Sequence, residues 1–435
     1  MRRVFSLDEA DGLGDPFESR LDDLLLGENG ACACCGPDGH VEYAAGDSAS
    51  SGGVNSYGKP SYSWDEAARE TSRHDRKWAD GDSYSSGGIG VTFSPSGLGS
   101  GGTVTYGYLA ETDVGADEGG RSFRAFDAQE MAMVERAIGI ISDVADIEFV
   151  RVTGAGSAYL DDAQSADLDL QAVLNSNGGV ATTWYSGDTI LEAVVSIGEQ
   201  GLEDFGSYAF RTALHEIGHA LGLSHPGDYE GSGASDYASD AAYFEDSAQY
   251  TVMSYWDETN TGADFGYGTY STSVMLHDIA ALQRLYGANE ATRADNTVYG
   301  FGSNTNDAGW SLEDAQDVFI GAIWDAGGHD TLDLSGYAMD QEIDLRQEAF
   351  SSTGGRVFNL SIARDVVIED ALGGAGNDII TGNDAANVLE GGDGDDVVEG
   401  GEGDDILFGD EGNDVLFGGD GDDILIGDGG DAGMG

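Results

Sequence analysis

From Gly373 onward the sequence keeps a nine-residue register: units begin at positions 373, 382, 391, 400, 409 and 418, and a further one fades out from 427. Asp returns at the sixth place as Asp378, Asp396, Asp405, Asp414 and Asp423, with Asn387 standing in once. Two aliphatic residues follow it, such as Ile406-Leu407 and Val415-Leu416. Few architectures tolerate such a period. Glycine permits turns with φ > 0, carboxylates and turn carbonyls are hard oxygen ligands, and the short apolar pair forms one strand of a stacked coil. One unit cannot bury its own strand, so stability must come from stacking and from cations. The register therefore predicts coils filled by several Ca²⁺ ions over 373–431, with the five Asp residues as ligands. A disordered acidic tail would share the composition but not the strict phase.

Charge narrows the function. Acidic residues number 81 against 18 Lys plus Arg, a formal net charge of −63. Phosphate recognition depends on clustered Lys and Arg, so the balance argues against nucleic-acid partners and against anionic lipid surfaces. No run of eighteen apolar residues exists, so no membrane span is expected. No Sec-type signal peptide is legible behind Arg2-Arg3. The only thiols, Cys32, Cys34 and Cys35, are too tightly spaced to staple a fold.

Three stretches separate along the chain. Residues 1–58 are acidic and rich in Gly and Ser, and are expected to form a poorly ordered, removable leader. Residues 59–287 predict a compact α+β body. Within it, Asp127 starts a helix whose apolar stripe includes Val134, Ile138, Ile141 and Val144, followed by a strand over 147–152 and another over 191–197. Residues 288–435 are all-β, with Ala326-Gly327-Gly328-His329-Asp330 and Asp333 suggesting an irregular first calcium site.

The chemistry is concentrated in His215-Glu216-Ile217-Gly218-His219-Ala220-Leu221-Gly222-Leu223-Ser224-His225. On an α-helix His215 and His219 project from one face, one turn apart, as two imidazoles gripping one Zn²⁺ require. Glu216 adjoins the first ligand and can act on the attacking water without being a ligand. Gly222 ends the helix and folds His225 back as a third ligand. Three neutral nitrogens with a fourth position left for water make a catalytic zinc rather than a structural one. Tyr208, Phe210, Ala213, Leu214 and Ile217 are expected on the buried side of the helix. His277 is expected at the surface or at a helix start, and not as a ligand; His40 and His74 are expected in solvent.

The motif, with Pro226 directly behind its third His, resembles the serralysin family of metzincin endopeptidases. The likeness continues through Tyr250-Thr251-Val252-Met253-Ser254-Tyr255-Trp256, similar to that family's Met-turn, through segments 58–63, 278–287 and 324–337, and through the nonapeptides, which resemble RTX repeats. It implies an α+β metzincin protease domain followed by an all-β parallel β-roll. It implies a secreted, extracellular, monomeric endopeptidase, made as a zymogen, acting on extended polypeptide substrates, with one catalytic Zn²⁺ and several structural Ca²⁺. By that likeness Met253 forms an apolar floor under the zinc, and Tyr255 is a switchable extra ligand that stabilises the oxyanion. The strand near 194–197 is expected to line the cleft and pair with substrate backbone. A non-enzymatic RTX binding protein and an astacin-like enzyme are the competing classes; the intact Glu216 opposes the first, Pro226 and the nonapeptides the second.

Two departures stand out. Family members continue past the repeats into a β-rich region ending in an export signal for a type I secretion apparatus, whereas here the sequence reaches Gly435 within Gly/Asp repeats; either more sequence follows or the signal is abbreviated. The second is the thiol cluster. Thiolate is a good zinc ligand, so Cys32, Cys34 or Cys35 could hold a latent enzyme, or the cluster is adventitious in a disposable leader.

Overall fold

The computed structural model describes residues 59–72, 98–109, 115–116, 122–152, 166–176, 178–186, 188–227, 236–305, 307 and 309–427. Cys32, Cys34, Cys35, His40 and His74 lie outside the described residues.

The first layer of the protease part is a twisted sheet. Strands β1 (Gly102–Tyr108), β2 (Gly115–Ala116), β3 (Ser122–Arg124), β4 (Ile147–Arg151), β5 (Leu168–Val173), β6 (Gly179–Ser186) and β7 (Thr189–Gly198) form it. Its main body runs β4-β1-β5-β7-β6; the pairs among the first four are parallel, and β6 runs antiparallel to β7. Parallel strands need a crossover element to join them, here the helix α2 (Ala128–Val144) between β3 and β4. Asp127 caps α2 by accepting from the amides of Gln129 and Glu130, and Glu130 closes the capping box. Val134, Ile138, Ile141 and Val144 are buried, as the stripe predicts, each contributing roughly 1.5–3 kcal/mol of burial.

Helix α3 (Tyr208–Ala220) packs on β6 and β7, and α1 (Trp64–Thr71) packs on α4 (Leu276–Tyr286). Two long-range ties hold the N-terminal segment in place: Lys59 Nζ donates to Ala241 O, and Glu245 accepts from Tyr62 N–H at 2.9 Å and from the Ser61 hydroxyl. His277 sits at the start of α4, as expected. It is buried between Tyr243 and Tyr250 rather than at the surface, and burial pushes its imidazole down to about 3. The sequence signal misled because the aromatic cover comes from a loop some thirty residues upstream.

The repeat region of the C-terminal part is a stack of short strands in two parallel sheets. Val388–Asp393, Ile406–Glu411 and Ile424–Ile426 pair in one; Ile379–Thr381, Val397–Glu402 and Val415–Asp420 pair in the other. Partners are eighteen residues apart, as in Val388↔Ile406↔Ile424, so two nonapeptides make one full coil. Gly392 and Gly401 adopt φ of 108° and 111°, and a Cβ on Gly392 would lie 2.1 Å from Gly374 O in the coil beneath. That close approach accounts for glycine at Gly392, whereas the same place of other units holds Asn383 and Asp410.

Candidate metal centre and catalytic cleft

Helix α3 carries the site. Ser207 caps it by accepting from Phe210 N–H, and Phe210, Ala213, Leu214 and Ile217 anchor it in the core. Tyr208 departs from expectation: it is exposed and stands edge-on to Tyr270. At the other end Gly222 takes a φ of 98°, and the chain doubles back to bring His225 over the helix.

The three imidazoles converge. His225 Nε2 lies 3.2 Å from His215 Nε2 and 3.0 Å from His219 Nε2, and all three donor atoms lie within 4.8 Å of one another. His215 Nδ1 donates to Val252 O and His219 Nδ1 donates to Leu223 O, both at 2.8 Å. A carbonyl can only accept, so these bonds fix the tautomer and leave the Nε2 lone pairs pointing at one another. Burial, reinforced by the neighbouring His219, holds the His215 imidazole neutral far below its ordinary value. Two nitrogens each about 2.0–2.1 Å from one tetrahedral ion stand about 3.3 Å apart, so the donor set fits Zn²⁺ in type and in spacing.

Beneath the rings lies Met253, fully buried. A Cβ on Gly218 would meet its sulfur at 2.9 Å, so the glycine between the two helical histidines makes room for the methionine. Tyr255 is half-exposed, its ring 4.3 Å from that of His225 and 5.9 Å from that of His215. Glu216 is buried against the start of β6: a Cβ on Gly179 would lie 2.5 Å from Glu216 Cγ and 2.9 Å from its Oε1. The strand expected in the cleft, 194–197, is covered on both sides by β5 and β7's other neighbour β6. It is β6 that forms the edge, paired within the described sheet on one side only, and it begins beside Glu216. Period-2 patterning finds a strand but cannot say which neighbour ends the sheet.

Gly179 was not singled out by any motif. Gly179→Ala is expected to push the Glu216 side chain off its position, lowering kcat/KM about 10- to 100-fold with metal content unchanged. Peptide hydrolysis rates beside metal analysis of the same sample check it.

Of the irregular first site, Asp330 is fully buried, and burial pushes it up to about 7. Its Oδ1 accepts from Thr297 N–H, while its Oδ2 has no partner. His329 is instead turned outward onto Asp370, and Asp333 caps the Ser335 turn. A buried acidic neighbour of Asp330 is Asp325, a residue the sequence pattern did not mark.

A helix carrying His-Glu and His one turn apart, a third His beyond a glycine turn and a methionine under all three are the marks of the metzincin class of metallopeptidases. Residues 288–434 match the family model described as Peptidase M10 serralysin C terminal. The chain is 38% identical over 347 residues to Metallopeptidase AprA of Pseudomonas marginalis, covering 78% of this chain and 69% of that protein. It is 42% identical over 272 residues to Serralysin of Photorhabdus luminescens, covering 61% of this chain and 54% of the relative. With Serralysin C of Dickeya chrysanthemi the identity is 40% over 338 residues, 75% of this chain and 66% of the other. The chain belongs to the serralysin family of metalloendopeptidases.

Among the described residues no helix is long and apolar enough to cross a membrane.

Proposed function

We propose that this chain is a secreted, zinc-dependent endopeptidase of extended polypeptides, with a catalytic unit over 59–287 and a calcium-stabilised roll over 288–435. The observation that carries the reading is the convergence of three Nε2 atoms, with the rings of His215 and His219 oriented by backbone carbonyls and Glu216 at the mouth of an edge strand. His215, His219 and His225 would hold the zinc, which when bound supplies Lewis acidity toward the scissile carbonyl and the attacking water. Glu216 takes the proton of that water and returns it to the leaving amine. Tyr255, beside His225, donates its hydroxyl to the charge developing on the carbonyl oxygen. The edge of β6 left unpaired among the described strands pairs with substrate backbone, which gives affinity with little side-chain discrimination.

In the roll, Asp378, Asp396, Asp405, Asp414 and Asp423 are the calcium ligands of this proposal. Asp396 Oδ2 and Asp405 Oδ2 support it, being buried carboxylate oxygens with no hydrogen-bond partner. They press against Gly391 and Gly400, where a Cβ would lie 2.4 and 2.1 Å away. Export would use a type I apparatus, and calcium outside cells, about 10⁻⁴–10⁻³ M, would fill the coils.

The test is casein cleavage by the full chain with and without a zinc chelator. Activity should vanish on chelation and return with one equivalent of zinc. Folded, zinc-loaded protein that leaves casein intact would overturn the reading.

A further inference from the structure

We infer that Thr251 and Asp278 are positioning residues for His215, joined to it by a continuous hydrogen-bond relay. The inference rests on the metal-site reading above and concerns residues that touch neither metal nor substrate. Thr251 Oγ1 donates to Asp278 Oδ1 at 2.5 Å and accepts from Met253 N–H at 3.0 Å. The other end of that same peptide unit, Val252 O, accepts from His215 Nδ1–H at 2.8 Å. Asp278 Oδ2 meanwhile accepts from Val252 N–H at 2.8 Å and from Met275 N–H at 2.9 Å. One fully buried carboxylate on α4 thus fixes both peptide planes around Val252.

The physical consequence follows from polarisation. A peptide whose N–H is held by an acceptor, itself bonded to a carboxylate, carries a more negative carbonyl oxygen. That oxygen keeps the Nδ1–H tautomer of His215 and raises the basicity of Nε2. His219 is oriented from elsewhere: its Nδ1 meets Leu223 O just beyond the end of its own helix. Arg211, one turn before His215, braces the same turn from the other side by donating to Ser254 O at 2.6 Å. The bland alternative is that Asp278 only caps α4 through Met275.

Thr251→Val separates the two, because it cuts the relay while sparing the bonds of Asp278 to Val252 and Met275. Thr251→Ser restores the hydroxyl, and Thr251→Ala serves as a smaller second cut should the valine variant fold poorly. Zinc affinity of the full chain, read by competition with a chromogenic chelator, should fall about 10- to 100-fold in the Val and Ala variants and stay within about threefold in Ser. The spectrum of the cobalt(II)-loaded protein should shift in the same two variants. Wild-type zinc affinity in Thr251→Val, or equal weakening in Val and Ser, would overturn the relay. If the wild-type chain itself takes up no stoichiometric zinc, the failure lies with the site reading and removes this inference with it.

Discussion

Glu216→Gln should leave zinc content at one equivalent and lower kcat/KM on casein-derived peptides by about 10²–10⁴-fold, the usual worth of a positioned general base. The structure gives two reasons to expect a clean separation of binding from catalysis. Glu216 is not among the converging nitrogens, so its removal leaves the ligand set whole. Its side chain also lies in a slot shaped by the missing Cβ of Gly179, and an isosteric amide fills that slot without a cavity. The amide cannot take a proton from water at neutral pH. Set beside Gly179→Ala, which keeps the carboxylate and moves it, the substitution separates the need for the group from the need for its place. Undiminished cleavage by Glu216→Gln, with folding and metal unchanged, would remove Glu216 from the reaction.

What sequence alone disclosed and what it hid divide along the range of the forces involved. Asp127 and the stripe from Val134 to Val144 were legible because a cap and a helical face are local, and the structure bears both out. The nine-residue phase disclosed the coils, although the pairing of every second unit emerges only when two sheets are laid face to face. The His215–His225 spacing disclosed the converging imidazoles because a helix and one glycine turn fix it. Other features depend on contacts distant in sequence. The edge position of β6, the aromatic cover of His277 by Tyr243 and Tyr250, and the outward turn of Tyr208 against Tyr270 all belong to that kind. So does Asp278, whose carboxylate accepts from the Val252 amide 26 residues upstream. A lone Asp at a helix start gives no sign of this in the sequence, since capping alone explains its presence.

Calcium removal near neutral pH should melt the C-terminal roll, and the effect should shrink as the pH is lowered to about 5. Asp378, Asp396 and Asp405 are each about 1% exposed. Burial pushes Asp396 up to about 7 and raises Asp378, Asp405 and Asp414 above the usual carboxylate range. A carboxyl that titrates near 4 in the unfolded chain and higher in the fold binds more protons when folded. Cation-free stability is therefore fully present below about pH 4 and is lost as the pH rises toward about 7. The coils stack the groups so that relief must come from a cation or a proton: Asp378 N–H donates to Asp396 Oδ1, and Asp396 N–H to Asp414 Oδ1, one coil on. Asn387 marks the contrast, a neutral residue at the same place whose amide donates to Glu369 O and accepts from Asn383. Calcium at about a hundred times a site's dissociation constant adds about 2.7 kcal/mol per site, so several sites should raise the melting temperature by tens of degrees at about pH 7.5. Calorimetry with calcium or a calcium chelator at the two pH values reads this directly. Asp396→Asn should raise the cation-free melting temperature at neutral pH while weakening the response to calcium, because the amide needs no counter-charge in its buried place. A roll that melts at one temperature with and without calcium at neutral pH, or that loses cation-free stability on acidification to about pH 5, would contradict the assignment of these carboxylates as calcium ligands.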